Sequence, residues 1–418
     1  MLDRLKAWHP FQTPDTQRLA VLFAVVYFAQ GMWSLPVLPL TFVLKGWGLS
    51  AGQVATFFSI SVIPWLVKPV YGLISDFLPL AGYRRKSYLL LTSGLAAAAG
   101  LALGLFVEHS YWGLAIFFTA MGLGLAFTDV LVDALMVENG KPRGLTGAFQ
   151  SVQWASINLA SILVGLLGGY LARQRNLHAS FLIAAGFPLI SFVMTLFFIR
   201  EQRTRMDLVG FRHTLRAVRA ALAQRDVWIV AGFILFWTFS PSFGPALVYY
   251  QTDVLKFSEQ FIGLLSSLGS AAGIVGAFFY APLSRRVPLV RIINISIGVG
   301  VAGTLAYLVY RDVWSALIID TLFGGVGMIV QLAFLDLAAK SCPRHVEATF
   351  FALLMSVYNL GTQGSQVAGG YLYDGLGFVA LVLISSAMTA MAWLLVPLVK
   401  IHRIEARARA ATEVETTM

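Results

Sequence analysis

Twelve long apolar stretches of 21–27 residues dominate the sequence. A helix needs about 20 apolar residues to cross the roughly 30 Å hydrocarbon core of a bilayer, where lipid offers the backbone no outside hydrogen-bond partner. The stretches are continuous instead of alternating with period two, which argues against a strand-built barrel. We therefore predict an all-α polytopic membrane protein with twelve transmembrane helices. The predicted spans are Leu19–Leu44, Ala51–Phe77, Ser87–Val107, Trp112–Val137, Leu145–Leu171, Ala179–Ile199, Val227–Tyr250, Ile262–Leu283, Val290–Tyr310, Val313–Ala338, Ala348–Leu372 and Phe378–Ile401.

The composition excludes several soluble classes of protein. Hydrophobic residues make up 58% of the chain and charged residues 12%, about half the charged fraction of a soluble globular protein. This rules out a cytosolic enzyme, a disordered chain and a conventional nucleic-acid binder. Cys342 is the single cysteine, so an intrachain disulfide framework and a cysteine-rich zinc site are also excluded. We expect no metal and no cofactor.

The basic residues predict the orientation. Of the 30 lysines and arginines, 24 lie in the N-terminal segment, the even-to-odd connections and the C-terminal tail. Lys68 lies inside a span, and five lie on the opposite side: Lys45, Arg173, Arg175, Lys256 and Arg311. The positive-inside rule then places both termini in the cytoplasm of a multi-pass protein of the cell (inner) membrane. The net charge of +10 reflects this topology and requires no nucleic-acid partner.

An internal repeat divides the chain into two halves. Tyr71-Gly-Leu-Ile-Ser75-Asp76-Phe-Leu-Pro79 recurs 209 residues later as Tyr280-Ala-Pro-Leu-Ser284-Arg285-Arg-Val-Pro288. Asn158 and Gly168-Gly169-Tyr170-Leu171 recur 201 residues later as Asn359 and Gly369-Gly370-Tyr371-Leu372. Two six-helix halves in parallel repeat are the arrangement of the major facilitator superfamily, whose members transport by alternating access. Repeat symmetry alone does not prove transport.

From the two halves we predict five segments of the chain, including a linker between the two sets of helices. In the linker, Leu208, Phe211, Leu215, Val218 and Leu222 recur at spacings of three and four with arginines between them, which favours an amphipathic helix on the cytoplasmic membrane surface over a solvated linker. The segments are the N-terminal segment 1–18, the first half 19–199, the linker 200–226, the second half 227–401 and the tail 402–418.

Charged residues within spans are the main functional candidates, because each costs at least about 2.5–3.5 kcal/mol near the bilayer centre. Lys68 and Asp129 fall at nearly the same depth in the second and fourth spans, and Asp133 follows one turn later. We predict that they form a cluster in which Lys68 attracts an anionic group and a carboxylate exchanges a proton. The alternative is a permanent ion pair that only locks the two helices together.

The tenth span carries two further acids. Asp336 has Lys340 four residues later and favours an interfacial ion pair. Asp320 has no evident partner in the sequence and is the better candidate for proton coupling.

Amides and aromatics supply candidates for substrate contacts. Asn359, Gln363 and Gln366 share one face of the eleventh span, and Asn158 lies in the fifth. Such amides either line a cavity or join helices. Aromatic residues in spans either face lipid or stack on a ligand, and we place Trp65, three residues before Lys68, with the substrate site.

Three motifs resemble the folate-biopterin transporter family of the major facilitator superfamily. The first and most specific is Pro64-Trp65-x-x-Lys68-Pro69-x-x-Gly72-x-x-Ser75-Asp76-x-x-Pro79-x-x-Gly82-Tyr83-Arg84-Arg85. The second is Cys342-Pro343-x-x-x-Glu347-Ala348-Thr349-x-Phe351-Ala352-Leu353-x-x-Ser356-x-x-Asn359. The third is Asp129-x-x-x-Asp133 followed by Glu138.

The resemblance implies a secondary active transporter, and not an enzyme, that couples uptake of folates or related pterins to protons. It also implies that Asp76, Arg84 and Arg85 form a cytoplasmic gate. We expect a monomer in the lipid bilayer whose partners are a small anionic substrate and protons. Alternatives are a permease for another anionic solute such as a muropeptide, drug or metabolite, a membrane enzyme such as a lipid-linked transferase, or a non-transporting scaffold.

Overall fold

The computed structural model of the chain describes residues 10–106, 109–342 and 347–406, in which helices and their connections make up the whole fold and no β-strand occurs. The first half of the chain forms α1 (Pro14–Met32), α2 (Val37–Gly46), α3 (Ala51–Leu66), α4 (Lys68–Phe77), α5 (Lys86–Leu105), α6 (Tyr111–Gly140), α7 (Thr146–Arg173) and α8 (Leu177–Phe198). The linker and second half form α9 (Leu208–Leu222), α10 (Arg225–Thr238), α11 (Gly244–Tyr249), α12 (Glu259–Arg286), α13 (Leu289–Ala306), α14 (Val313–Ser341) and α15 (Glu347–Val399). The all-α prediction is confirmed.

Some of the sequence predictions fall on residues outside the described ranges. They include the motif residue Pro343 and five of the basic residues assigned to the cytoplasmic side, which are Arg4, Lys6, Arg344, Arg407 and Arg409.

Prolines explain why three of the predicted spans are each split into two helices. Pro36 lies between α1 and α2, Pro64 and Pro69 flank the break between α3 and α4, and Pro241 lies between α10 and α11. A proline has no N–H to donate, and its ring disfavours the helical conformation of the preceding residue. The breaks therefore follow from the sequence, and two of them lie beside functional candidates.

Ten helices among the described residues are long and apolar enough to cross a membrane, or eleven if a bent pair is counted as one span. The seventh predicted span is absent from the ten because it is split into α10 and α11. The eleventh and twelfth run together in one 50-residue stretch, Phe350–Val399. At 1.5 Å per residue this stretch is roughly 75 Å long, far more than a bilayer core needs, and it is interrupted at Gly377, where φ is 81°. The exact count of twelve stays a prediction.

The chain separates into two compact units. The first comprises residues 1–43 and 61–208, and the second comprises residues 44–60 and 209–418. The segment 44–60 groups with the second unit partly through hydrogen bonds at the start of α3. There the Asp374 carboxylate accepts from the backbone N–H groups of Ala51 and Gly52, at 3.1 and 2.9 Å. A carboxylate at a helix N-terminus satisfies N–H groups that the helix itself leaves unpaired.

Each unit has its own apolar core, and small residues bring its helices close together. In the first unit a Cβ added at Gly100 would lie 2.7 Å from the Ala185 side chain, so α5 and α8 approach closely at this glycine. In the second unit a Cβ added at Gly276 would lie 2.0 Å from the Gly325 carbonyl oxygen, which joins α12 and α14 equally closely. Such small residues allow the backbones of neighbouring helices to approach closely.

Candidate functional site

A buried ion pair joins α4 to α6 in the first unit. Lys68 Nζ lies 2.6 Å from Asp129 Oδ2, and the two side chains are 19% and 7% exposed. The same ammonium lies 4.5 Å from the ring centroid of Trp65, within the range of a cation–π interaction. Trp65 is buried, and its Nε1–H has no acceptor among the described residues. Three candidates therefore lie together and offer a cation and an unused N–H donor.

The break in the second span positions Lys68. α3 ends at Leu66 and α4 begins at Lys68, with Val67 between them at φ −107° and ψ 16°. The Tyr71 hydroxyl donates to the Pro64 carbonyl at 2.9 Å, which gives this carbonyl a partner where the helix is interrupted. The ammonium is thus carried by the first residue of a helix that starts inside the span.

Asp133 lies one turn beyond Asp129 on α6 and has neutral partners. The Tyr27 hydroxyl of α1 donates to Asp133 Oδ1, and Gln153 Nε2 of α7 lies 3.4 Å from the same oxygen. The two acids of the predicted cluster are therefore held differently, Asp129 by a cation and Asp133 by a phenol and an amide. Sequence reasoning missed Tyr27, since one tyrosine in an apolar span is indistinguishable from a lipid-facing residue.

The three predicted gate residues lie together at the end of α4. Arg85 pairs with both Asp76 and Glu138, with 2.8 Å from its Nη2 to Glu138 Oε1, and its Nη1 lies 2.7 Å from Ser75 Oγ. Arg84 Nη2 lies 2.9 Å from the same Glu138 oxygen. Burial of Arg85 opposes its charge, but its hydrogen bonds and ion pairs with Glu138 and Asp76 outweigh that and raise its pKa. Through four side-chain hydrogen bonds this buried guanidinium joins α4 to α6.

A carboxylate that the sequence did not single out completes this cluster. Glu201 accepts hydrogen bonds from the backbone N–H groups of Arg84 at 2.8 Å, Arg85 at 3.0 Å and Lys86 at 2.8 Å. These N–H groups belong to the start of α5, so Glu201 caps that helix and complements the positive end of its dipole.

The second unit repeats this cap with a residue outside the sequence motifs. Glu405 Oε1 accepts from the backbone N–H of Leu289, the first residue of α13, at 3.0 Å. Glu405 follows Glu201 by 204 residues, close to the offsets of the two sequence repeats. The repeat thus extends to the carboxylate that caps the third helix of each half.

Asp320 of α14 has two partners that the sequence did not reveal. Tyr307 Oη donates to one carboxylate oxygen at 2.8 Å and Tyr310 Oη donates to the other at 2.7 Å. Gln251 Nε2 donates in turn to Tyr310 Oη at 2.6 Å. Asp320 is therefore held by two phenols at the end of α13, and it has no ion pair among the described residues.

Asp336 lies nearer the end of the same helix. Lys340 Nζ lies 2.7 Å from Asp336 Oδ2, and the Tyr280 hydroxyl lies 3.2 Å from that oxygen. The ion pair expected from the i,i+4 spacing is present.

The four candidate amides are not brought together in one network. Asn158 Nδ2 donates to the Trp154 carbonyl of its own helix at 2.7 Å. Gln366 packs against Gly244 at the start of α11, where an added Cβ would lie 3.0 Å from the Gln366 Cγ. Asn359 and Gln363 are half-buried on the same helix. Gln366 therefore lies beside the break between α10 and α11.

The sequence matches one family over most of its length. Residues 30–404 match the BT1 family. The chain belongs to the BT1 family. A "Folate-biopterin transporter" of Synechocystis sp. is 33% identical over 380 residues, covering 87% of this chain and 76% of that protein. "Folate transporter 1" of Plasmodium falciparum is 23% identical over 352 residues, covering 81% of this chain and 69% of that protein. The resemblance read from the three motifs is confirmed.

Solved structures confirm the fold of this BT1 family member. The nucleoside transporter NupG superposes with a TM-score of 0.70 at 12% identity, covering 93% of this chain and 98% of that one. A D-xylose-proton symporter gives a TM-score of 0.65 at 14% identity, covering 92% and 98%. At these identities the likeness concerns the fold alone, that of major facilitator transporters. The chain is a multi-pass membrane transporter, in line with the prediction that it is not an enzyme.

Proposed function

We propose that this BT1 family member is a secondary active transporter that couples the uptake of folate or related pterins to protons. The observation that carries the proposal is the buried Lys68–Asp129 pair beside Trp65. A buried ammonium attracts carboxylates, which folates carry on their glutamyl tail, and the indole N–H is a further donor for such a group. The names of the relatives in Synechocystis and Plasmodium support the substrate class.

The substrate carboxylate competes with Asp129 for Lys68. In the absence of substrate the ammonium is neutralised by Asp129 at 2.6 Å. When a substrate anion takes over the ammonium, Asp129 becomes a buried carboxylate without its cation, which is a costly state in a low-dielectric site. Uptake of a proton removes that cost. Substrate binding and protonation are thereby linked through Lys68.

Asp133 and Asp320 are proposed as further coupling carboxylates. Both are held by tyrosine hydroxyls, which remain bonded to either form of the acid because a hydroxyl is both donor and acceptor. Protonation at these sites therefore requires no ion pair to break. The amides Asn158, Asn359, Gln363 and Gln366 are proposed as neutral substrate contacts.

The cluster of Asp76, Arg84 and Arg85 with Glu138 is proposed as the cytoplasmic gate. Its ion pairs join α4 to α6, the same two helices that Lys68 and Asp129 join. A displacement of Lys68 or Asp129 can therefore be transmitted to the gate along α4 and α6. The protein is proposed to work as a monomer in the bilayer.

The decisive experiment measures uptake of labelled folate and labelled biopterin into proteoliposomes, with and without an inward proton gradient. We expect accumulation of at least one of them that disappears when the gradient is collapsed. Absence of uptake of both, together with uptake of another organic anion, would support the alternative permease and overturn the substrate assignment.

A second experiment tests the coupling residue. Asp129→Asn removes the titratable group but keeps the side-chain shape, so we expect folate counterflow to persist while gradient-driven accumulation is lost. Lys256→Gln, at an exposed loop position, is the matched control and should behave as the wild type. Accumulation by Asp129→Asn at the wild-type level would remove Asp129 from the coupling mechanism.

A further inference from the structure

The second unit contains a cavity where its first long helix is broken. α10 ends at Thr238 and α11 begins at Gly244, and a cavity of about 340 Å³ is lined by the last two residues of α10 and by residues 240–243 of the break. The remaining walls come from α13, α14 and α15. The volume lies within the range of about 300–1,000 Å³ that is usual for small-molecule sites.

The break lies deep in the span. α10 has 14 residues from its start at Arg225, so its end lies roughly 21 Å along the helix, at 1.5 Å per residue. Irregular backbone at such a depth is tolerated only where it is buried in protein or lines a cavity. Discontinuous helices of transporters use such breaks to contact their substrates. The break at residues 239–243 therefore lies where a ligand can be contacted inside the membrane.

Two of the cavity hydroxyls on α15, those of Thr362 and Ser365, have already used their hydrogens. Ser365 Oγ donates to the Thr362 carbonyl at 2.7 Å, and Thr362 Oγ1 donates to the Tyr358 carbonyl at 3.0 Å. Ser242 Oγ of the break lies 3.0 Å from Ser365 Oγ. Because the single Ser365 hydrogen is used on a carbonyl, Ser242 is the donor of that bond.

Three further lining hydroxyls, those of Ser240, Thr389 and Thr238, have also used their hydrogens. Ser240 Oγ donates to the Ser385 carbonyl at 2.9 Å and lies 2.9 Å from Thr389 Oγ1, so Thr389 is the donor to Ser240. Thr238 Oγ1 donates to the Ile234 carbonyl at 2.8 Å. Six of the nine lining hydroxyls thus keep lone pairs and have no hydrogen left to donate. Toward a ligand they act as acceptors.

The rest of the lining is aromatic and uncharged. Trp237, Phe243, Phe323 and Tyr358 line the cavity, and none of the described lining residues is Asp, Glu, Lys, Arg or His. Trp237 is held in place by stacking on Phe334, with ring centroids 4.5 Å apart. Flat aromatic walls favour a planar ring, and the absence of a counter-charge disfavours an ionised group.

We propose that this cavity binds an uncharged planar heterocycle that presents amino and ring N–H donors. A pterin ring has this character, since it is flat, neutral and carries a 2-amino group and a ring N–H. The inference rests on the proposed function and deepens it: the cavity recognises the pterin ring, whereas Lys68 recognises a carboxylate. Recognition of the heterocycle is therefore assigned to this cavity of the second unit.

Filling the cavity tests the assignment. A Cβ added at the lining residue Gly327 meets no atom within 4 Å, so Gly327→Leu places its side chain into open space. The matched control is Gly232→Leu, an exposed helical glycine outside the cavity lining whose added Cβ also meets no atom within 4 Å. Both variants replace glycine by leucine within a helix, so their effects on helix stability are comparable.

The measurement is calorimetric binding of three probes to the full chain in detergent micelles: biopterin, folate, and p-aminobenzoyl-glutamate, which carries the carboxylates without the pterin. We expect Gly327→Leu to weaken biopterin and folate binding by about tenfold or more and to leave p-aminobenzoyl-glutamate unchanged. Gly232→Leu should bind all three like the wild type. The melting temperature of each variant is measured alongside.

A second variant removes one acceptor without filling space. Thr362→Val should weaken biopterin binding by roughly three- to tenfold. Its control is Thr195→Val, because Thr195 makes the same bond to the carbonyl four residues earlier, at 2.7 Å, in the other unit.

The outcomes separate this inference from the proposed function. Wild-type protein that binds none of the three probes overturns both. Wild-type protein that binds biopterin, with Gly327→Leu and Thr362→Val binding it equally well, overturns the cavity assignment alone. Equal weakening of biopterin and p-aminobenzoyl-glutamate also overturns it, because the cavity would then not distinguish the heterocycle.

Discussion

The two units of this transporter bury polar groups in opposite ways. The first unit buries full charges, with Lys68, Asp129 and Asp133 within two helical turns of one another across α4 and α6. The second unit buries hydroxyls around a broken helix, and the Asp320 carboxylate in this unit is held by two phenols instead of a cation. The units share a repeat in sequence and in helix capping, yet this repeat does not extend to their charges. The two units therefore share features of their scaffold but differ in the chemistry of their buried polar groups.

Of the variants that test this difference between the units, the one that removes the Lys68 cation should have the largest effect. Lys68→Met keeps the length of the side chain but leaves Asp129 buried without a partner. We expect affinity for anionic substrates to fall by about 10- to 100-fold and the free energy of unfolding to fall by about 3–5 kcal/mol. Binding calorimetry and thermal unfolding in detergent measure the two effects.

A double variant separates the two effects of Lys68. Lys68→Met combined with Asp129→Asn no longer buries an unpaired charge, so most of the stability should return while the affinity stays low. Recovery of both would mean that Lys68 only neutralises Asp129. Lys256→Met serves as control for the loss of one positive charge.

The second prediction concerns Asp320, the carboxylate that is held by two phenols and not by a cation. Asp320→Asn should leave folate affinity within about twofold of the wild type, since no ammonium is lost, and should lower proton-driven accumulation because the titratable group is gone. Asp336→Asn, on the same helix but paired with Lys340, is the matched control and should accumulate normally. Equal loss in both variants would mean that Asp320 has no special role in coupling.

The charged site was easier to predict from sequence than the uncharged one, for a physical reason. A lysine and an aspartate inside apolar spans are so costly that they must find each other, and counting depth along two helices was enough to pair Lys68 with Asp129. The prolines likewise account for the helix breaks. Serine and threonine carry no such penalty, because each can bond to the carbonyl four residues earlier in its own helix, as Thr362 does. Nothing in the spacing showed that eight of them line one cavity.

The sequence also did not reveal the partners that one part of the chain supplies to another. Tyr27, Tyr307 and Tyr310 hold the two acids Asp133 and Asp320, but a tyrosine in a span is common and faces lipid as often as protein. Of the capping acids, Glu201 looked like part of a linker and Glu405 like part of a tail. Their role depends on where the chain returns to the helix start, which tertiary packing decides.

The third prediction tests a feature that the units share. Glu201 accepts from three backbone N–H groups and Glu405 from at least one. Glu201→Gln should therefore lower the free energy of unfolding by about 1–2 kcal/mol, and Glu405→Gln by less than about 1 kcal/mol. Thermal unfolding of the two variants checks the order. A larger loss for Glu405→Gln than for Glu201→Gln would show that the number of backbone hydrogen bonds does not determine how much each cap stabilises the protein.

The smallest expected effect concerns the N-caps of α6 and α14, the helices of the fourth and tenth predicted spans. In the first unit the N-cap of α6 is Ser110, whose Oγ accepts from the Gly113 N–H at 3.2 Å. In the second unit the N-cap of α14 is Asp312, whose carboxylate accepts from the Ser315 N–H at 2.8 Å. The backbone hydrogen bond from Ser315, followed by that from the Ser315 hydroxyl, lowers the pKa of Asp312. One unit therefore has a neutral cap where the other has a titratable one.

The sign of the pH dependence follows from the direction of that shift. Since the pKa of Asp312 is lower in the folded than in the unfolded protein, its stabilising contribution is complete above the ordinary aspartate value of about 3.9 and is lost as the pH falls through the folded pKa. Asp312→Ser keeps a capping oxygen, as in the first unit, but removes the titration. We expect its melting temperature to fall slightly less than that of the wild type between about pH 5 and pH 3, whereas identical slopes would mean that the carboxylate at this cap contributes no more than a hydroxyl does.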